Sequence, residues 1–108
     1  MRIVSTGTLR RFAKANPQIL GSIEGWIYVV KLCDWSTPND VKRDFGSASV
    51  LQNGRVVFNI QGNKVRLVTA ILFGAKALLV KFIGFHSEYD RIDAQTVDQT
   101  KWRQKDGN

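Results

Sequence analysis

The sequence predicts an α+β fold in which N-terminal helices pack on one face of a small, mainly antiparallel twisted sheet. Three observations lead there. Apolar residues recur at helical spacing through the first third of the chain, as in Leu9, Phe12 and Ala13. From Ala48 onward the period drops to two, with Val56, Phe58 and Ile60 alternating with Arg55, Val57 and Asn59. Turn signals at Asn53-Gly54, Gly62-Asn63 and Gly74-Ala75-Lys76 then cut this half into strands suited to a meander. Helices that precede such a meander are expected to cover one of its faces. With no linker, repeat or low-complexity tract, residues 1–108 read as one domain, and 104–108 read as a frayed tail.

Arg2-Ile3-Val4-Ser5 reads as a short opening strand. Thr6 or Thr8 offers an N-cap to the first helix, whose apolar face runs Leu9, Phe12, Ala13 and Asn16, leaving Arg10, Arg11 and Lys14 off it. Pro17 ends that helix and, with Asn16 as cap, opens the second at its first position. Ile19, Leu20, Ile23, Trp26, Ile27 and Val30 give the second helix a broad apolar stripe, with Cys33 on or near it. Ser36-Thr37-Pro38 starts a short third helix over 38–44, which Gly46 ends. Asn53-Gly54 is a strong hairpin signal, because both residues tolerate the positive φ of a type I′ turn. The next strands follow as Val65, Leu67, Thr69, Ile71 and Phe73 alternating with Lys64, Arg66, Val68, Ala70 and Leu72, and then Ala77–Phe85. In that last strand Leu78, Val80 and Phe82 are expected in the core.

Charge narrows the function. The chain carries 16 Lys and Arg against 9 Asp and Glu, a net charge of +7. Residues 55–85 hold Arg55, Lys64, Arg66, Lys76 and Lys81 with no acid at all. Such a block suits a polyanion, most commonly nucleic acid, although a plainly solvated surface is the alternative on charge alone. The apolar content of 44% excludes a disordered polyelectrolyte. One Cys excludes an intramolecular disulfide framework, and one Cys with one His argues against a protein-held zinc. No cofactor is expected. Lys31 and Lys81 interrupt the best apolar runs before they reach the ~20 residues of a membrane span. Met1–Ser5 opens no signal-peptide apolar region, so a cytoplasmic location is expected.

Strand parity sharpens the site. Arg55, Asn59, Lys64, Arg66 and Lys81 fall on the face opposite the apolar series, and burying such charges is costly, so that face is expected to be wet or to hold an anion. Just past the last strand stands His86-Ser87-Glu88-Tyr89-Asp90-Arg91. Ser87 and Asp90 have capping-box spacing, which would put His86 at a strand-to-helix corner with Tyr89 one turn on. Histidine suits proton transfer near neutral pH. Glu88 and Asp90 are expected to serve as cap and dipole partners. Trp26 reads as core, Trp35 as a helix-end packing residue, and Trp102 as a ring free to stack.

Val57-Phe58-Asn59-Ile60-Gln61-Gly62-Asn63-Lys64-Val65-Arg66-Leu67-Val68 and Val80-Lys81-Phe82-Ile83-Gly84-Phe85-His86-Ser87-Glu88-Tyr89-Asp90-Arg91-Ile92-Asp93-Ala94 together resemble the HigB family of bacterial toxins, in the RelE-like superfamily. Val65 and Phe85 depart from the residues common there. The resemblance implies a RelE-like fold and a metal-independent endonuclease acting on ribosome-bound mRNA in the 30S A site. It also implies a helix-turn-helix antitoxin of the HigA type as partner. By position, Lys64, Arg66, His86 and Tyr89 match the superfamily's catalytic set, and Arg55, Asn59, Asn63, Lys81 and Arg91 are expected to bind RNA. The reading from another class is a non-catalytic RNA-binding or translation-regulating module on the same basic face.

Overall fold

The computed structural model of the chain describes residues 1–99, so Trp102 and the expected tail at 104–108 lie outside it. The elements are β1 (Arg2–Val4), α1 (Thr6–Ala15), a 3₁₀ turn (Pro17–Ile19), α2 (Leu20–Leu32), α3 (Pro38–Asp44), β2 (Ser49–Val50), β3 (Arg55–Ile60), β4 (Val65–Leu72), β5 (Ala77–Phe85) and α4 (His86–Tyr89). Strands β2 to β5 form the antiparallel meander, and β1 joins its far edge parallel to β5, giving the order β1-β5-β4-β3-β2. The fold is α+β, as the change of period from 3.6 to 2 implies, and RelE-like in arrangement.

Helices α1 to α3 bury one face of the sheet. Leu9 and Ala13, Ile23, Trp26, Ile27 and Val30, and Val41 meet Val56, Phe58, Ile60, Val65, Leu67, Leu78 and Val80 in one core. Phe58 is its hub, with its ring edge-on to Trp26 at 5.3 Å and to Phe45 at 5.2 Å, and stacked on Trp35 at 6.2 Å. Truncating such a side chain to Ala typically costs about 3–5 kcal/mol.

Local chemistry moves several boundaries. Ser5, with φ 74, precedes α1, so Thr6 is already helical and neither Thr6 nor Thr8 caps it. Asn16 leaves the helical face and caps its end, donating from Nδ2 to Phe12 O at 3.0 Å. The 3₁₀ turn breaks the phase of the second stripe, leaving Ile19 buried but Leu20 45% exposed. Thr37 does start α3: its Oγ1 accepts the Asp40 N–H, and Asp40 Oδ2 accepts the Ser36 and Thr37 N–H groups at 2.8 and 3.1 Å. Asn53 and Gly54 both have positive φ, as the hairpin requires, and a Cβ on Gly54 would stand 2.7 Å from Ile71 O. The next turn centres one residue earlier than expected, on Gln61 (φ 53) and Gly62 (φ 69). In the last turn Lys76 (φ 54), rather than Gly74, takes the left-handed conformation. It is latched there by Asp34 at 2.9 Å, Trp35 O at 3.0 Å and Ser36 Oγ at 2.8 Å.

One departure changes the faces of the sheet. Val68 pairs with Phe82 but Thr69 pairs with Val80, so Lys81 is an extra, bulged residue in β5. Phe82 therefore turns away from the helical core, contrary to the simple alternation, and Ile83 enters it instead.

The α3 region also sets an acid response. Backbone N–H groups of Ser36 and Thr37 hold the Asp40 carboxyl below its usual range, and the Trp35 indole N–H, 2.9 Å away, does the same for Asp44. A carboxyl depressed in the folded chain stabilises it fully above the unfolded value, near 3.8, and loses that contribution as pH falls through the folded value. The melting temperature is expected to drop as pH falls below about 4, and to drop less steeply in Asp44→Asn. An unchanged acid slope in that variant would refute the assignment.

Candidate active site

The sheet face turned away from the helical core is divided in two. One half is covered. Val57, Val68 and Phe82 form a second buried cluster there, with Leu51, Tyr89, Ile92, Ala94 and Val97 packed against it. The covering segment brings carbonyl groups that need donors, and Arg55 supplies them: its Nη1 donates to Ala94 O at 3.2 Å and Val97 O at 2.7 Å. Lys81 pairs with Asp98 at 3.1 Å, with only 18% of its side chain exposed, and Gln99 Oε1 accepts the Ile83 N–H at 3.1 Å. Arg55 and Lys81, expected on an open RNA-binding face, are thus anchors of residues 94–98. Val57 and Val68, apolar at positions of polar-face parity, were the sequence signal that something covers this half.

The other half is open. Asn59, Arg66 and Gly84 lie side by side across β3, β4 and β5. Arg66 Nη1 donates to the Asn63 carbonyl O and Oδ1 at 3.3 and 3.4 Å, and its guanidinium carbon stands 5.7 Å from the centre of the Tyr89 ring. The guanidinium is fixed by neutral groups. Among the described residues no carboxylate pairs with Arg66 or Lys64. A shallow cleft lined by Ser47, Asn59, Gly62 and Asn63 adjoins it. Gly84 is required beside it: a Cβ there would stand 2.7 Å from the Phe82 ring and 3.3 Å from Glu88 Cβ. The absence of a side chain lets Phe82 and α4 close together.

His86 stands at the corner where β5 becomes α4. Val65 pairs with Phe85, and the His86 N–H continues the ladder to Lys64 O at 3.0 Å, which sets Lys64 and His86 opposite one another. Phe85 packs back on Phe12 of α1, with ring centres 5.3 Å apart. The turn is capped by Glu88, whose Oε1 accepts the Phe85 N–H at 3.0 Å, and not by the expected Ser87 and Asp90 box. Asp90 instead places Oδ2 3.1 Å from His86 Nδ1. Spacing of four residues on a helical turn is the signal that could have revealed this pair. The imidazole is 52% exposed. The structure therefore gathers Lys64, Arg66, His86 and Tyr89, with Asn59 and Asn63 at the rim, while Arg91 is exposed just beyond α4. Cys33 stands apart at the end of α2, where burial and then the Asp44 carboxylate push its thiol up, away from the nucleophilic thiolate.

Residues 21–92 match the family described as HigB_toxin, RelE-like toxic component of a toxin-antitoxin system. The chain belongs to the HigB toxin family. A relative named mRNA interferase HigB, from Escherichia coli O6:H1 (strain CFT073), is 29% identical over 94 residues, covering 85% of this chain and 91% of the relative. The stretch matching the HigB family starts in α2 and ends at Ile92, so it contains the whole open half of the sheet and the turn bearing His86. Among the described residues of this HigB-family chain, no helix is long and apolar enough to cross a membrane.

The division of the sheet makes Arg55 a structural residue. Arg55→Ala leaves two carbonyls without their charged donor and is expected to cost about 1–3 kcal/mol in denaturant unfolding, with faster amide exchange over residues 94–98. Unchanged stability with weakened RNA binding would contradict this placement.

Proposed function

We propose that the chain is the endoribonuclease of a toxin–antitoxin pair and cleaves mRNA, in the ribosomal A site, without a metal. Membership of the HigB family and the mRNA interferase name of its relative support this reading. The observation that carries it is the Arg66 guanidinium, held by Asn63 and Tyr89, unpaired by any described carboxylate, and next to the Lys64 and His86 corner.

In this reading the ribose 2′-oxygen attacks the adjacent phosphorus. The O2′–P bond forms and the P–O5′ bond breaks, giving a 2′,3′-cyclic phosphate and a 5′-OH. Arg66 offers N–H donors to the non-bridging oxygens as charge builds on the phosphorane, and Lys64 adds a point charge. Tyr89 fixes the guanidinium from below. His86 moves one of the two protons, either from the 2′-OH as neutral imidazole or to the 5′-oxygen as imidazolium, and water takes or supplies the other. Asn59, Asn63 and Arg91 hold the flanking strand. The partner is an antitoxin of the HigA type that docks away from this half of the sheet and acts in the cytoplasm by keeping the toxin off the ribosome. Free RNA oligonucleotide should then leave the toxin–antitoxin complex intact.

Arg66→Ala should lower cleavage of ribosome-bound mRNA by about 100-fold or more, the scale of losing one preorganised transition-state donor. RNA affinity should fall far less, and His86→Gln should also impair cleavage. A single 2′-deoxy substitution at the scissile nucleotide should abolish it. A 5′-thio leaving group, which needs no proton, should rescue His86→Gln if His86 serves the 5′-oxygen and not if it serves the 2′-OH. Cleavage of the deoxy substrate, or parent-like activity in both variants, would refute the proposal. Tight RNA binding by a parent that never cuts would favour the non-catalytic module.

A further inference from the structure

We infer that Asp90 is the positioning residue of His86: its carboxylate holds the imidazole through Nδ1–H and leaves Nε2 as the nitrogen available to substrate. The inference rests on the nuclease reading for its consequence, but not for its geometry. Asp90 Oδ2 and His86 Nδ1 are 3.1 Å apart at the two ends of one helical turn. The turn fixes Asp90 in turn, because its N–H donates to His86 O at 3.0 Å. Glu88, the other carboxylate of α4, is already committed to the Phe85 N–H. Asp90 has no Lys or Arg partner among the described residues, which leaves its carboxylate available to the imidazole. The two acids of this segment therefore do different work, one ending the strand and the other orienting the ring.

The chemical consequence is a choice of tautomer. A neutral imidazole has one N–H and one bare nitrogen, and a carboxylate that accepts only from Nδ1–H makes Nε2 the bare one. Nε2 then accepts a proton or, in the imidazolium, delivers one, in either case without the ring having to turn over. An amide at position 90 reverses this, because its NH₂ group can donate to a bare Nδ1 and drive the proton to Nε2. The same exchange of carboxylate for amide behind a catalytic His strongly lowers turnover in serine proteases through the wrong tautomer.

The chain holds a single histidine, which makes the test direct. In the ¹⁵N-labelled full chain without RNA, long-range ¹H–¹⁵N correlation of the neutral ring should show a protonated Nδ1 and a bare Nε2. Asp90→Asn should reverse the pattern. Its kcat on ribosome-bound mRNA should fall by about 100-fold, as for a disabled general acid or base, with KM within about threefold. Asp90→Glu, which keeps a carboxylate on the turn, should retain the Nδ1–H form and recover part of the rate. A parent ring protonated at Nε2 would overturn the inference, as would an Asp90→Asn chain with the reversed tautomer and parental kcat. A parent that shows Nδ1–H but cuts no RNA would refute the nuclease reading and leave the hold of Asp90 on His86 standing.

Discussion

The bulge at Lys81 decides where everything beyond it points. Before it, β5 sends Leu78 and Val80 into the helical core. After it, the parity is reversed: Phe82 and Gly84 lie on the opposite face, and Ile83 and Phe85 lie toward the helices. Without the extra residue Gly84 would face the core and the larger Ile83 and Phe85 would fill the space beside Arg66. With it, the position beside Arg66 is a glycine, Phe85 is pinned on Phe12, and the chain leaves the sheet with His86 opposite Lys64. Bulges next to functional sites commonly re-aim side chains in this way.

The same bulge creates the need for a cover. Phe82 joins Val57 and Val68 in an apolar patch on what would otherwise be a wet face. Hydrophobic burial draws Ile92, Ala94 and Val97 over it, and the carbonyls of that segment then need buried donors. Arg55 meets those needs at Ala94 O and Val97 O, and Lys81 ties down the same segment through the Asp98 carboxylate. Basic residues on one face are thereby sorted into two kinds. Those under the cover are satisfied by the protein itself, whereas Lys64 and Arg66 beyond its edge are not neutralised by any described acid. Tyr89 stands at the seam, packed against the apolar cluster and lying under the Arg66 guanidinium.

Much of this was legible in the sequence. The change of period placed helices and meander, Thr37 and Asp40 declared the start of α3, and two long motifs marked the strand pair and corner that the family match then covered. Other features were hidden for physical reasons. Leu79-Val80-Lys81-Phe82-Ile83 carries apolar residues on both parities around Lys81, so it reads equally well with or without an extra residue. β1 is three residues long, too short for its pattern to declare a parallel partner. The roles of Arg55 and Lys81 depend on a segment some forty and seventeen residues downstream, beyond any local window. The His86–Asp90 pair was within reach at four-residue spacing, but the competing capping reading assigned Asp90 to Ser87 instead.

The division of the sheet face is tested most directly by mapping where RNA lies on it. Backbone amide shifts should be followed as the ¹⁵N-labelled chain is titrated with an oligoribonucleotide made uncleavable by 2′-deoxy substitution. The amides of Lys64, Arg66, Gly84, His86 and Tyr89 should move while those of Val57, Val68 and Ala94–Val97 stay still. Shifts confined to the covered half, or to Arg10, Arg11 and Lys14 of α1, with the Arg66 and His86 amides unmoved, would contradict it.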